Sequence, residues 1–517
     1  MFSKPSVLVV GAGPAGLVMA LSLAQNGIPL RIIDKSDSHH AGSRGFGLQP
    51  RTFELFQSLG IVNNVLTLAT PIPTMRAYKL PGGTQAVKTW DLYEKVETPW
   101  PDRPYASIIA NGACLSQALL EEIMRKRLAT FGVTVELGTE LVALDQDAEG
   151  VTATIVAHHS SGSRETLRFK YVVGADGAKG STRKLIGLTF QGETRDTDGM
   201  VWGDVEIRGL KNDFWHIWGK PGHFTIMARP LQLGEGSQFG IGITGQNFDP
   251  TDLAEPDRVK DFIRNETGRI DLEFGDFTWL SYFKPNMRMV NKFQEGRVFV
   301  VGDAAHVHSP TGGQGLNCSV QDSSNLAWKL SLVLKGMASP SLLSSYNTER
   351  LPVITQMLHA TTQLYTHTVA KEKPLDTSTG TPDDDKASGW FRWRNGALHM
   401  YGINYRFSDI VLEERDATPQ DDEDTRARAY QGYEGARTLR AGDRAPEAPG
   451  LVSADRKETD DIHLPSFFMD RDSNARNGYL VPKGNVTVVI VRPDSFIGGI
   501  VGDADGVHRY FSKVLGI

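Results

Sequence analysis

Three clusters of glycines and carboxylates in this chain have the residue types that receive a ligand at the edge of an α/β sheet, and the first has the spacing that holds a dinucleotide. In the first, Gly11, Gly13 and Gly16 follow G-x-G-x-x-G spacing, with Pro14 and Ala15 completing the turn. Gly11 permits a tight turn, Gly13 lets the backbone approach a pyrophosphate, and Gly16 lets a helix pack closely on a strand. The unpaired N–H groups at the start of that helix, at the positive end of its dipole, hold phosphate. Asp34 can accept from ribose hydroxyls, and Lys35 follows it. The second cluster is Asp176-Gly177, within Gly174–Arg183. The third is Gly302-Asp303, leading to Pro310, Gly312, Gly313, Gly315, Leu316 and Asn317. A carboxylate at a strand's C-terminal edge stands where an open α/β sheet receives its ligand.

The elements that must position these residues are legible around them. Ser6–Val10 reads as a short buried strand, the run to Gln25 as an apolar helix and Leu30–Ile33 as a second strand, a βαβ unit. Buried strands are likewise expected at Lys170–Asp176 and Arg297–Val301, and helices at Thr52–Leu59, Leu115–Phe131, Gln321–Lys335 and Leu342–Thr368. The spacing recurs at Gly240-Ile-Gly-Ile-Thr-Gly245, but no apolar helix follows. Its alternation predicts a strand rather than a nucleotide site.

With 517 residues the chain is expected to hold two or three domains, and its 40% hydrophobic and 22% charged residues are those of an ordinary globular enzyme. A net charge of -6 supplies no electrostatic case for nucleic acid or an anionic membrane. Cys114 and Cys318 lie far apart, which argues against a disulfide framework or zinc site and fits a cytoplasmic location. Lys4 followed by apolar residues to Ala24 imitates a leader or membrane span. Its Gly and Pro content and its place in the βαβ unit argue for fold instead, so no stable membrane insertion is expected.

Together these predict an α/β fold: a Rossmann-like cofactor-binding domain over 1–188 and 287–371, interrupted by an antiparallel-sheet substrate domain over 189–286. Residues 75–105 read as a lid or insertion, 372–437 as linker and helices, and 438–517 as a small α/β unit.

The ordered set Gly11–Gly16, Asp176-Gly177 and Gly302-Asp303 resembles the single-component FAD aromatic hydroxylases of the p-hydroxybenzoate and phenol hydroxylase type, over roughly residues 5–370. The resemblance implies that Asp303 bonds the ribityl chain and that Pro310–Asn317 passes the isoalloxazine ring. It implies flavin contacts at Arg44-Gly45 and at Gln117. It also makes the tail, with Ala441–Pro446 and Val491–Asp494, similar to the phenol hydroxylase branch's thioredoxin-like domain, here without cysteine and with a structural or homodimer role. The implied cofactor is FAD, with NADPH or NADH as co-substrate bound transiently. The implied reaction hydroxylates a small aromatic substrate with O2 through a flavin C4a-hydroperoxide, water being excluded from the site.

For the substrate, the aromatic-rich segments offer Tyr105, Trp202, His216, Trp218, Phe224 and Arg229. Of these, Tyr105, His216 and Arg229 are the candidates for catalysis, the alternative for each being a core or edge position on the sheet. His306 and His308 suggest catalysis or metal binding, but the resemblance implies that His306 packs and positions the flavin; His39-His40 is expected to form a solvated loop. Epoxidation or Baeyer–Villiger oxidation of a polycyclic compound would use the same motifs. Halogenation is disfavoured because Trp215-His-Ile-Trp218-Gly-Lys-Pro departs from W-x-W-x-I-P. A non-catalytic flavin sensor would have no need of Gly302–Asn317.

Overall fold

The computed structural model describes residues 4–516 apart from 93–110, 159–161, 195–197, 221–223, 235, 247–249, 254, 311, 369–398, 416–422, 431–438, 447–450, 454–467, 471–472, 483 and 485. Tyr105 and most of 372–437 therefore lie outside the described residues. The βαβ unit forms as expected. Strand β1 (Val7–Val10) leads to helix α1 (Pro14–Gln25) and strand β2 (Leu30–Ile33), with β1 and β2 parallel. Proline at the first helical position and no acidic side chain in the first turn suit a helix whose N-terminus faces an anion. On its other side β1 pairs in parallel with Tyr171–Gly174, which pairs with Val298–Val300. All three cofactor clusters thus leave the same edge of one sheet.

Helix α2 (Gln117–Ala129) packs against α1, as does α3 (Gly315–Leu334), and the longer α4 (Ser344–Thr368) packs against α3. α3 begins well before the expected Gln321. Gly315, Leu316 and Asn317 are its first turn, because Asn317 finds hydrogen-bond partners that let the helix run back to the glycines.

The substrate-side sheet has seven strands: β3 (Thr74–Tyr78), β4 (Ala86–Trp90), β5 (Asp198–Arg208), β6 (Phe214–Lys220), β7 (Phe224–Pro230), β8 (Gln238–Gln246) and β9 (Glu273–Phe283). Their order is β9-β5-β8-β7-β6-β3-β4, antiparallel except where β6 runs parallel to β3. Residues 74–90 of the expected insertion are therefore two strands of this sheet. The second G-x-G-x-x-G lies in the interior strand β8, as its alternation predicted. One core cluster fills the side of this sheet holding Val205, Trp218 and Ile243, and a smaller one gathers Met75, Trp215, Met227 and Trp90.

Toward the C-terminus, Leu412–Glu413, Ile497–Val501 and Val488–Val491 form a small sheet followed by the helix Ala504–Leu515. Residues 399–410 and 423–430 contribute Met400, Ile403, Tyr405, Ala429 and Tyr430 to the main core beside α3 and α4. Among the described residues no helix is long and apolar enough to cross a membrane.

Candidate active site

The cofactor cleft opens where β1, Tyr171–Gly174 and Val298–Val300 end. Gly11 has φ +101°, and a Cβ there would overlap the Ala175 carbonyl. One on Gly16 would overlap the Gly11 carbonyl, while one on Gly13 would meet nothing within 4 Å. Two glycines close the turn and the third leaves an open approach. Asp34 Oδ2 accepts from Ala12 N–H at 2.8 Å and Oδ1 from Ser36 N–H at 2.9 Å. The carboxylate thereby ties the turn to β2 and keeps lone pairs for a sugar. Lys35, beside it, is exposed.

Asp176 Oδ2 accepts from the Thr182 N–H and hydroxyl at 2.8 and 2.9 Å, while its buried Oδ1 has no partner. The turn Gly302–Ala304 presents Asp303 toward the cleft, with protein packed behind it. That crowding raises its carboxyl pKa, against the charges of His306 and Arg44. The turn is anchored by Asp322, a fully buried residue that local spacing did not single out. Its Oδ2 accepts from Gly302 N–H at 3.0 Å and pairs with His306 Nε2 at 2.7 Å, while Oδ1 accepts from Arg350 Nε at 2.7 Å. His306 is thus a positioning group, as expected.

Gly312 (φ +91°) and Gly313 (φ +60°) make the next turn, with Gly313 N–H donating to the Pro310 carbonyl at 3.1 Å. Asn317 holds it without reaching into the cleft. Its Nδ2 donates to Gly313 O and Gly47 O at 2.7 and 2.8 Å, and its Oδ1 accepts from Gln49 N–H and the Thr52 hydroxyl at 2.8 and 2.6 Å. Fully buried with its amide so engaged, the Asn317 side chain acts by placing the loop. The open approach at Gly13, the unpartnered Asp176 oxygen, Asp303 and the positive-φ glycines fit FAD.

The loop Ala41–Phe46 forms the wall between this cleft and a second cavity. Arg44 is exposed, and its charge acts on both Asp303 and Glu121. Gly45 N–H donates to Gln117 Oε1 at 3.1 Å, and a Cβ on Gly45 would stand 3.3 Å from Leu316. Gln117 Nε2 donates in turn to Glu121, whose carboxyl burial pushes up to about 7. On the far side of the wall, Phe46 packs edge-on to Trp215 at 5.7 Å and lies under the Arg229 guanidinium at 3.9 Å.

That second cavity lies between the loop and the seven-stranded sheet. Its floor is the strand that carries the second glycine motif. Arg229, Gly240 and Asp204 stand side by side across β7, β8 and β5, and the Trp202 ring covers Gly242. A Cβ on Gly242 would overlap the Trp202 ring, whereas one on Gly240 would stand in ordinary contact, 3.4 Å from Arg229 and Asp204. The indole N–H groups of Trp202 and Trp215 are buried and unpartnered. Burial raises the Asp204 carboxyl above its usual range, against hydrogen bonds from Ser43 and the charge of Arg229.

Of the substrate-side candidates, Arg229 and Trp202 reach this cavity. His216 does not: it faces the opposite core, where its ring, Tyr78 and Trp218 pack against one another in near-parallel orientation. Its Nε2 meets the Lys211 carbonyl at 2.5 Å and its Nδ1 the Tyr78 hydroxyl at 2.7 Å. A carbonyl only accepts, so Nε2 carries the proton and Nδ1 accepts from tyrosine. Burial lowers its pKa to about 4. The expected catalytic role of His216 is therefore replaced by a core one, because alternation along β6 turns Trp215 toward the cavity and His216 away. Trp218 and Phe224 share that core. Asp204, Trp279 and Ser43 line the cavity without having been singled out; the signal was the glycine pair on the neighbouring strand.

Residues 4–361 match the family described as FAD binding domain. A flavin-dependent monooxygenase of Mycobacteroides abscessus is 32% identical over 99% of this chain and 100% of its own length. A 6-methylpretetramide 4-monooxygenase of Streptomyces rimosus is 32% identical over 69% of this chain and 61% of its own length. The solved flavin-dependent monooxygenase PieE, in complex with FAD and substrate, superposes with a TM-score of 0.77 at 22% identity, covering 99% of each chain. Two glycine turns, two strand-end carboxylates and this similarity over most of the chain lead to one assignment: the protein belongs to the FAD-binding-domain family and is an FAD-dependent aromatic monooxygenase.

Proposed function

We propose that this enzyme hydroxylates a phenolic, multi-ring aromatic compound held in the cavity over β8, using NADPH or NADH and O2. The observation that carries this reading is the position of the loop Ala41–Phe46, whose Arg44 and Gly45 face the cofactor cleft while Ser43 and Phe46 face the cavity. Bound FAD, reduced by NAD(P)H, supplies the activated oxygen of which one atom enters the substrate. The chain's residues do the rest. Asp34 would hold the adenosine ribose, the N-terminus of α1 the pyrophosphate, Asp303 the ribityl chain, and Gly312–Leu316 the ring edge.

Trp202, Trp215 and Phe46 would clamp an aromatic plane. The two unpartnered indole N–H groups and Arg229 would donate to its oxygens, and Asp204 would accept from a ring hydroxyl. An aromatic lining also excludes water from the reacting centre. Similarity to the 6-methylpretetramide 4-monooxygenase is consistent with a multi-ring substrate. Residues 438–517 would form a cysteine-free, thioredoxin-like domain with a structural role.

The test is NAD(P)H oxidation by the purified flavoprotein across phenols and multi-ring hydroxyquinones, with peroxide and product mass measured together. Stimulated oxidation with little peroxide and a product one oxygen heavier supports the proposal. Stimulation confined to single-ring phenols removes the multi-ring assignment.

A further inference from the structure

The turn at Gly312–Gln314 is held by a residue far outside the family-matched region 4–361. Tyr430, 1% exposed, donates its hydroxyl to Gln314 Oε1 at 2.6 Å. Gln314 is fully buried and donates Nε2 to the Gly312 carbonyl at 2.7 Å. Gly312 stands at φ +91°, a conformation that this bond stabilises. Asn404 fixes the segment bearing Tyr430: its N–H donates to Ala429 O at 3.0 Å and its Nδ2 to Arg428 O at 3.0 Å. The arrangement is a chain of hydrogen bonds from Asn404 through Arg428–Tyr430 and Gln314 into the turn.

We infer that Tyr430 is a positioning residue for the flavin, orienting the Gln314 amide so that the Gly312 peptide is set before FAD binds. The inference rests on the reading that Gly312–Leu316 meets the ring. Without the phenol hydroxyl, the buried Gln314 oxygen loses this hydrogen bond and the amide is less firmly oriented. The turn must then be ordered at the moment of binding, and the ordering cost appears in the affinity. Oxidised and reduced flavin differ in charge at the ring edge, so a loosened turn weakens the two forms unequally and moves the potential.

The experiment compares Tyr430→Phe, which keeps the ring, with Gln314→Met, which keeps the length, and with the double variant. The readouts are the FAD dissociation constant and the midpoint potential of the bound flavin. Each single variant is expected to bind FAD about 3- to 10-fold more weakly, as loss of one hydrogen bond implies, with a shifted potential. The double variant should be no worse than either. Asn317→Ala, run in parallel, separates the two claims. If it weakens FAD while Tyr430→Phe changes neither readout, the inference about Tyr430 is overturned and the loop assignment stands. If neither variant changes either readout, the loop assignment fails with it.

Discussion

At the scale of single residues, the account assigns different work to side chains of similar chemistry. Asp303 opens to the cleft while Asp322 is sealed behind it, so only the first can meet the cofactor. Asp303→Ala is expected to yield protein that purifies without flavin, read from visible absorbance; a fully yellow variant would remove the ribityl assignment. His216 makes a pH-dependent statement. Its pKa is lowered from the ordinary 6.5 to about 4, so the unfolded chain takes up a proton that the folded chain refuses between those values. Stability fully present above pH 6.5 is lost as pH falls toward 4, at up to about 1.4 kcal/mol per pH unit from this group. His216→Asn should flatten the acid limb of a denaturant-midpoint profile; an unchanged slope would show that the histidine is not held neutral. The glycines and carboxylates of the cofactor site were legible in sequence because backbone approach and charge are local requirements. His216 was misread because strand alternation assigns residues to faces, and which face is the cavity is a tertiary fact.

At the scale of elements, β8 and α3 carry the site. The second G-x-G-x-x-G shows how a pattern can be right about glycine and silent about purpose. The strand was readable from its alternation, but the cavity above it forms only when Arg229, Asp204 and Trp202 arrive from neighbouring strands. The early start of α3 was hidden for a related reason: Asn317 reads as a loop residue until Gly47, Gln49 and Thr52 come beside it. Asn317→Ala removes these hydrogen bonds and is expected to weaken FAD by roughly tenfold or more, on the order of 1–3 kcal/mol, in a fluorescence titration. Unchanged affinity would mean that the helix start does not set the turn.

At the scale of the whole molecule, a buried ion network joins the C-terminal residues to the cofactor fold. Glu349 of α4 meets Arg492 Nη1 at 2.6 Å and Lys329 Nζ at 2.8 Å, and Arg492 also pairs with Asp494 at 2.6 Å. These side chains are almost fully shielded from solvent, and Asn325 donates to both Glu349 and Asp494. Arg492→Met leaves Asp494 buried without its cation and Glu349 with Lys329 alone, and such losses cost about 3–5 kcal/mol. A single lowered thermal transition, accompanied by flavin release, is expected; separate melting of the C-terminal residues with flavin retained would show that the network does not bind the parts into one unit. The Val491–Asp494 segment was noticed in sequence only by resemblance, since nothing local reveals that Arg492 reaches across to α3 and α4.

The central claim is that the oxygen acceptor sits over β8, one loop away from the flavin. It is tested most directly by the ratio of peroxide formed to NAD(P)H consumed with an accepted substrate, in the native enzyme and in Gly240→Val. A Cβ at Gly240 stands 3.4 Å from both Arg229 and Asp204, so the variant fills the floor without forcing the backbone. The account expects a low ratio in the native enzyme and one approaching unity in Gly240→Val, with an unchanged flavin spectrum. Native coupling in Gly240→Val, with the same product, would contradict it.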